Sequence, residues 1–180
     1  MLFRSGIIYP STNSHVALKA EMENGEWIEG ETRITQARGK IRRIALQPGD
    51  AKPLAGAIDA ILEADIITIG PGSLYTSLIP NLLVEGIIPA IERSNATKIY
   101  IQNIMTQPGE TVGMSASCHM AALASHCNGS VLFPHVLLNN RMPAESIVKN
   151  YHAEGAGVVE VDRSRLAAID RKSTRLNSSH

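Results

Sequence analysis

The chain has 180 residues, 44% hydrophobic and 19% charged, with 17 basic residues balanced by 17 acidic ones. That length suits one domain burying roughly 70% of the surface its unfolded form exposes. Balanced charge and an aromatic content of 4% argue against a nucleic-acid partner, which calls for a basic face or a base-stacking surface. Two cysteines are too few for a disulfide scaffold, no apolar run reaches the roughly 18 residues of a membrane span, and no signal peptide is visible. A cytoplasmic protein is expected.

The two ends stand apart. Residues 1–6, MLFRSG, read as an unanchored, non-native start, and residues 171–180, RKSTRLNSSH, as a disordered or non-native tail. Residues 7–170 form the domain.

Along it, His15–Met22 and Glu26–Glu29 read as a β-hairpin turned at Asn24-Gly25, with Val16, Leu18, Ala20 and Met22 on one face. Lys40–Leu46 is a further strand, and Arg38, Lys40, Arg42 and Arg43 make a solvated strand face. Asp50 is the expected N-cap of a helix carrying Leu54, Ala57, Ile58, Ile61 and Leu62. Ile66–Ile69 is a short apolar strand of the kind buried on both faces of a parallel sheet. A helix starts near Ser73 and is interrupted by Pro80; another runs from Glu85 to Ser94, bent at Pro89. Strands at Lys98–Gln102, Ser130–Phe133, Val136–Leu138 and Val158–Val161 alternate with helices at Ser115–His126 and Pro143–His152. The pattern predicts an α/β fold: a Rossmann-like, largely parallel sheet with flanking helices plus a β-hairpin excursion.

Ligands of such folds bind outside the carboxyl ends of the strands, where two loops stand out. In GPGSLYTS, Gly70 and Gly72 bring backbone close to a ligand, Ser73 opens a helix whose free N–H groups can hold an anion, and Tyr75, Thr76 and Ser77 add hydroxyls. A compact turn with an N-cap serine is the competing reading. The stretch lacks the Walker A ending and the GxGxxG and GxSxG spacings. The second loop, QNIMTQPGET, offers Asn103, Thr106 and Gln107, whose amides and hydroxyl suit a sugar or a base edge. Its carboxylate, Glu110, suits a metal ligand, a base or a surface residue. Cys118, His119, His126 and Cys127 form two pairs roughly 12 Å apart along a helix, too far for one tetrahedral ion. No metal site is expected there; His119 alone has two readings, a residue lining the site because its helix follows the second loop, or an ordinary helix histidine.

Taken together, GPGSLYTSLIPNLL, NIMTQPGET, IYPSTNSHVALKAEMENG and GETRI resemble the YvcK family of gluconeogenesis factors, related to the 2-phospho-L-lactate transferases in a CofD-like superfamily. The resemblance spans residues 7–170. The family's GGGTG-type and DDGGS-type segments are missing, so the chain resembles the C-terminal portion of such a protein and reads as an incomplete domain. Around 112–119 the family pattern DGYTASDH reads VGMSASCH; Val112, Met114 and Cys118 replace two acids and a phenol, weakening any metal or acid–base role there.

The resemblance implies a regulatory protein that binds a nucleotide sugar such as UDP-N-acetylglucosamine and acts in gluconeogenic growth, cell-wall synthesis and cell shape. Carried onto this chain, Gly70, Pro71, Gly72, Ser73, Tyr75, Thr76 and Ser77 would hold the ligand, with Asn103, Met105, Thr106 and Gln107 as the adjoining wall. The alternative is a transferase of the phosphoryl or 2-phospholactate type, which alone would need Mg²⁺ and convergent carboxylates. A third reading is a scaffold without a small-molecule ligand, and homo-oligomerisation through the sheet edge or the hairpin is compatible with the sequence.

Overall fold

The computed structural model describes residues 6–176. The Asn24-Gly25 turn joins β1 (Ala17–Met22) to β2 (Trp27–Glu29), and both pair antiparallel. The hairpin does not remain an excursion. Strand β3 (Ile41–Gln47) pairs with the other edge of β1, giving an antiparallel sheet in the order β2-β1-β3. Period-two alternation puts Ala20, Met22 and Ile44 in the core. On the other face Glu21 receives Arg42 and Arg43 at 3.1 and 2.6 Å, so the basic stretch is solvated and paired.

Between the hairpin and β3 lies a helix that the sequence reading missed, α1 (Glu31–Ala37). It is seven residues long and buries only Ile34, too little for a helical period to register.

Helix α2 (Ala55–Glu63) begins later than Asp50 would place it. Thr12 bridges Pro53 and the Leu54 N–H donates to the Ser11 carbonyl, holding the approach extended. Pro53 also disfavours a helical conformation at Lys52.

Strand β4 (Ile66–Ile69) pairs parallel with β5 (Thr97–Ile101), which pairs parallel with β6 (His135–Leu137), in the order β4-β5-β6. β4 is an edge strand here and not buried on both faces as expected. Ile69 is buried but Ile66 is 61% exposed. After β4 the chain makes a π-helical turn, Leu74–Leu78, that runs into α3 (Ile79–Leu82). The change of helix type falls just before Pro80, which has no N–H to give an unbroken α-ladder. Pro89 lies in the first turn of α4 (Ile87–Arg93), where proline is tolerated.

Helix α5 (Ala116–His126) begins where the sequence places it, capped by Ser115, whose side chain accepts from the Cys118 N–H. Helices α6 (Glu145–Ala153) and α7 (Arg163–Leu176) complete the fold. Ser130–Phe133 forms no strand: Pro134 follows it, and Leu132 and Phe133 pack into the core. Val158–Val161 contributes a single bridge, Met105 to Val158. α7 carries six residues of the segment read as a disordered tail. The remainder of that segment, and residues 1–5 of the expected non-native start, lie outside the described residues. Among the described residues, no single helix is long and apolar enough to cross a membrane.

Candidate functional site

Because β4, β5 and β6 run parallel, the loops that follow them emerge at one edge of the sheet: residues 70–77, 102–111 and 138–144. The two loops singled out by sequence are joined there, side chain to backbone.

Asn103 makes a two-point contact with Gly72, accepting from its N–H at 3.0 Å and donating to its carbonyl at 2.8 Å. Glu110 supplies the other clasp. Its carboxylate accepts from the Tyr75 and Thr76 N–H groups at 3.1 and 3.3 Å, from the Thr76 hydroxyl at 2.7 Å and from Gln107 Nε2 at 3.1 Å. The N-terminal amides of the π-helical turn therefore already hold an anion, supplied by the chain itself. Glu110 is 5% exposed, so its surface reading is replaced by that of a buried clasp. Among the described residues, the Ser73 and Leu74 N–H groups have no hydrogen-bond partner.

Glycine geometry explains why the strand ends as it does. Gly70 has φ +85°, and a Cβ there would lie 2.5 Å from the Ile101 carbonyl oxygen at the end of β5. The Gly70–Pro71 peptide is cis. Across the site, a Cβ on Gly109 would lie 2.1 Å from the Thr35 carbonyl oxygen of α1. The helix missed in the sequence thus braces the turn that carries Glu110.

The remaining predicted residues divide. Tyr75 turns into the core, where burial pushes its phenol up to about 12, so it offers no hydroxyl to a ligand. Thr76 and Gln107 are engaged with Glu110, while Ser77 and Pro71 are exposed. Thr106 is buried and locked to Gly157: its N–H donates to the Gly157 carbonyl at 2.7 Å and its hydroxyl accepts from the Gly157 N–H at 2.8 Å. Met105 forms the neighbouring bridge to Val158. These two residues are tied to the 157–158 strip and, among the described residues, make no hydrogen bond to the first loop. His119 does not line a pocket; it is 0% exposed in the core. Sequence reasoning missed Asn139, Arg141 and Arg163, which line a cavity of about 420 Å³ with Gln102 and Asn103. The polar run Asn139-Asn140-Arg141, just after β6, was the signal available.

Magnesium would need free carboxylate oxygens at these loops. Both oxygens of Glu110 already accept hydrogen bonds from the chain, so the loop residues do not fit such an ion.

Two histidines of α5 hold the scaffold in a pH-dependent way. Desolvation lowers the pKa of both His119 and His126 below the usual 6.5. His126 Nδ1 lies 2.7 Å from the Ala122 carbonyl, and its Nε2 accepts the Ile44 N–H of β3 at 2.9 Å. That pairing requires the neutral ring with its proton on Nδ1. As pH falls below the ordinary value, the unfolded chain takes up protons that the folded one resists. Stability is therefore complete above 6.5 and is lost towards acid until the lowered folded values are passed. The slope reaches at most about 1.4 kcal/mol per pH unit for each histidine. Urea midpoints at about pH 7.5 and 5.5 check this, with the lower midpoint expected in acid; equal midpoints would contradict it.

At the foot of the site, Asp162 clamps the start of α5. It accepts from the Ser115 hydroxyl at 2.8 Å, the Ser117 N–H at 2.9 Å and the Ser117 hydroxyl. Desolvation raises its pKa, but these donors outweigh it and hold the carboxyl below its usual value.

The sequence matches the family model described as 2-phospho-L-lactate transferase CofD over residues 1–177. The chain belongs to the CofD family. That match also runs through the segment read as a non-native start. The gluconeogenesis factor of Halalkalibacterium halodurans is 44% identical over 91% of this chain and 51% of that protein. The gluconeogenesis factor of Bacillus subtilis is 42% identical over 91% of this chain and 51% of its own length. A putative gluconeogenesis factor of Thermotoga maritima is 45% identical over 89% and 50%. The chain thus spans about half the length of these curated relatives. A crystal structure of a UPF0052-family protein from Bacillus halodurans superposes with a TM-score of 0.87 at 45% identity, covering 89% of this chain and 52% of that one.

Proposed function

We propose that this CofD-family chain is a nucleotide-sugar-binding regulatory protein, with a ligand of the UDP-N-acetylglucosamine class lying across the carboxyl edge of β4 and β5. The observation that carries the reading is the pair of loops clasped together there, with the Ser73 and Leu74 amides unpartnered among the described residues beside the Asn103–Gly72 contact. The relatives named gluconeogenesis factors support a role in gluconeogenic growth, and the proposal extends that role to cell-wall synthesis and cell shape. The transferase reading calls for convergent carboxylates, and Glu110 is committed to clasping the two loops together.

Calorimetric titration of UDP-N-acetylglucosamine into the 180-residue chain tests this, with the longer Bacillus subtilis relative as the comparison. Saturable binding at one site per chain is the expected result. Binding by the relative alone, or by neither protein, would overturn the proposal for this chain.

A further inference from the structure

Resting on that reading, we infer that the cavity outside the carboxyl ends of β5 and β6 is an anion subsite, in which Arg141 and Arg163 take the phosphoryl groups of the ligand. Sequence pointed to the backbone amides of the first loop for this task, but Glu110 already holds those of Tyr75 and Thr76. The charge of a phosphorylated ligand needs cations elsewhere.

The described ion pairs use Lys19, Lys40, Arg42, Arg43 and Lys52. Among the described residues, Arg141 and Arg163 have no acidic partner within ion-pair distance, yet both line this one cavity. Its volume, about 420 Å³, falls within the roughly 300–1,000 Å³ typical of small-molecule sites.

Both arginines spring from fixed backbone. The Asn139 side chain accepts the Arg141 N–H at 3.2 Å and donates to the Arg141 carbonyl, closing the turn beneath that guanidinium. Arg163 opens α7 immediately after Asp162, which Ser115 and Ser117 hold against α5. A guanidinium is always charged and offers forked donors matched to phosphate oxygens.

Glu160 is the one acidic residue of the lining, so two arginines against one carboxylate leave a net charge of +1. A lone carboxylate among cations is suited to accept from hydroxyls, which favours a phosphorylated sugar over a bare anion. Asn103 lines the cavity while its amide is bonded to Gly72, so the subsite is continuous with the first loop.

The test titrates inorganic pyrophosphate and, separately, UDP-N-acetylglucosamine into the chain and its Arg141→Ala, Arg163→Ala and Arg33→Ala forms at low salt. Both cavity arginines are exposed, and circular dichroism checks that the variants are folded. Each cavity substitution is expected to weaken pyrophosphate and the UDP-sugar about tenfold, while Arg33→Ala, at an exposed arginine of α1, leaves both unchanged. Pyrophosphate that fails to bind, or binds equally to all four proteins, overturns the subsite. A UDP-sugar that binds equally to all four overturns it too, while leaving the nucleotide-sugar reading intact. Pyrophosphate binding that needs both arginines, without UDP-sugar binding, supports the subsite and refutes that reading.

Discussion

Glu110→Ala is expected to lower the free energy of unfolding by about 3–5 kcal/mol, the largest loss for any single truncation at the loops. The substitution removes a carboxylate bonded to two backbone amides, a hydroxyl and a side-chain amide. Tyr75 is buried, so its N–H loses a partner where water does not easily replace it. An unsatisfied buried donor costs roughly 1–3 kcal/mol, and bonds to a charged acceptor exceed neutral ones. Set against a total stability of about 5–15 kcal/mol, the loss is severe. Glu110→Gln should fall between: its oxygen still accepts, but its new N–H₂ competes with the donors gathered around it. Urea unfolding of the three proteins measures the difference. A value for Glu110→Ala within about 0.5 kcal/mol of wild type would show that the clasp does not hold the loops together.

Gly70→Ala carries the second large effect, about 3 kcal/mol or more, by a different mechanism. An L-residue at φ +85° is strained by about 1–2 kcal/mol before any contact is considered. The added methyl would then sit 2.5 Å from the Ile101 carbonyl oxygen, and a backbone atom has no rotamer by which to retreat. Either β5 or the loop must move, so the Asn103–Gly72 contact should open as well. Thermal unfolding reads the first consequence. Proton chemical shifts of the Gly72 amide and the Asn103 side-chain amide read the second. A variant with wild-type melting and unchanged shifts would contradict the close approach.

Local chemistry decided which parts could be read from sequence. The hairpin followed from Asn24-Gly25 between alternating strands, and α5 was legible as a helix over Ser115–His126. The parallel strands announced themselves as short apolar runs between helical stretches. Where nearby tertiary contacts governed the backbone, the reading slipped. Contacts from Ser11 and Thr12 kept residues 51–54 extended, and the edge position left Ile66 in the open. At the candidate site, the glycines and hydroxyls of GPGSLYTS marked a junction that the structure clasps to the second loop. What stayed hidden was the partner: Glu110 lies 34 to 35 residues from the amides it binds, and no local pattern encodes such a meeting. The same holds for Thr106 with Gly157 and for Gly109 with Thr35.

The hydrogen bond from Ile44 to His126 ties the antiparallel sheet to α5 through an imidazole. The antiparallel layer cannot peel away as its own folding unit without stranding an amide and a ring nitrogen together. Partial opening along that seam is thereby penalised, and the two layers are pushed towards one cooperative transition. What looks in the chain order like an appended hairpin is, thermodynamically, part of the floor on which the two clasped loops stand.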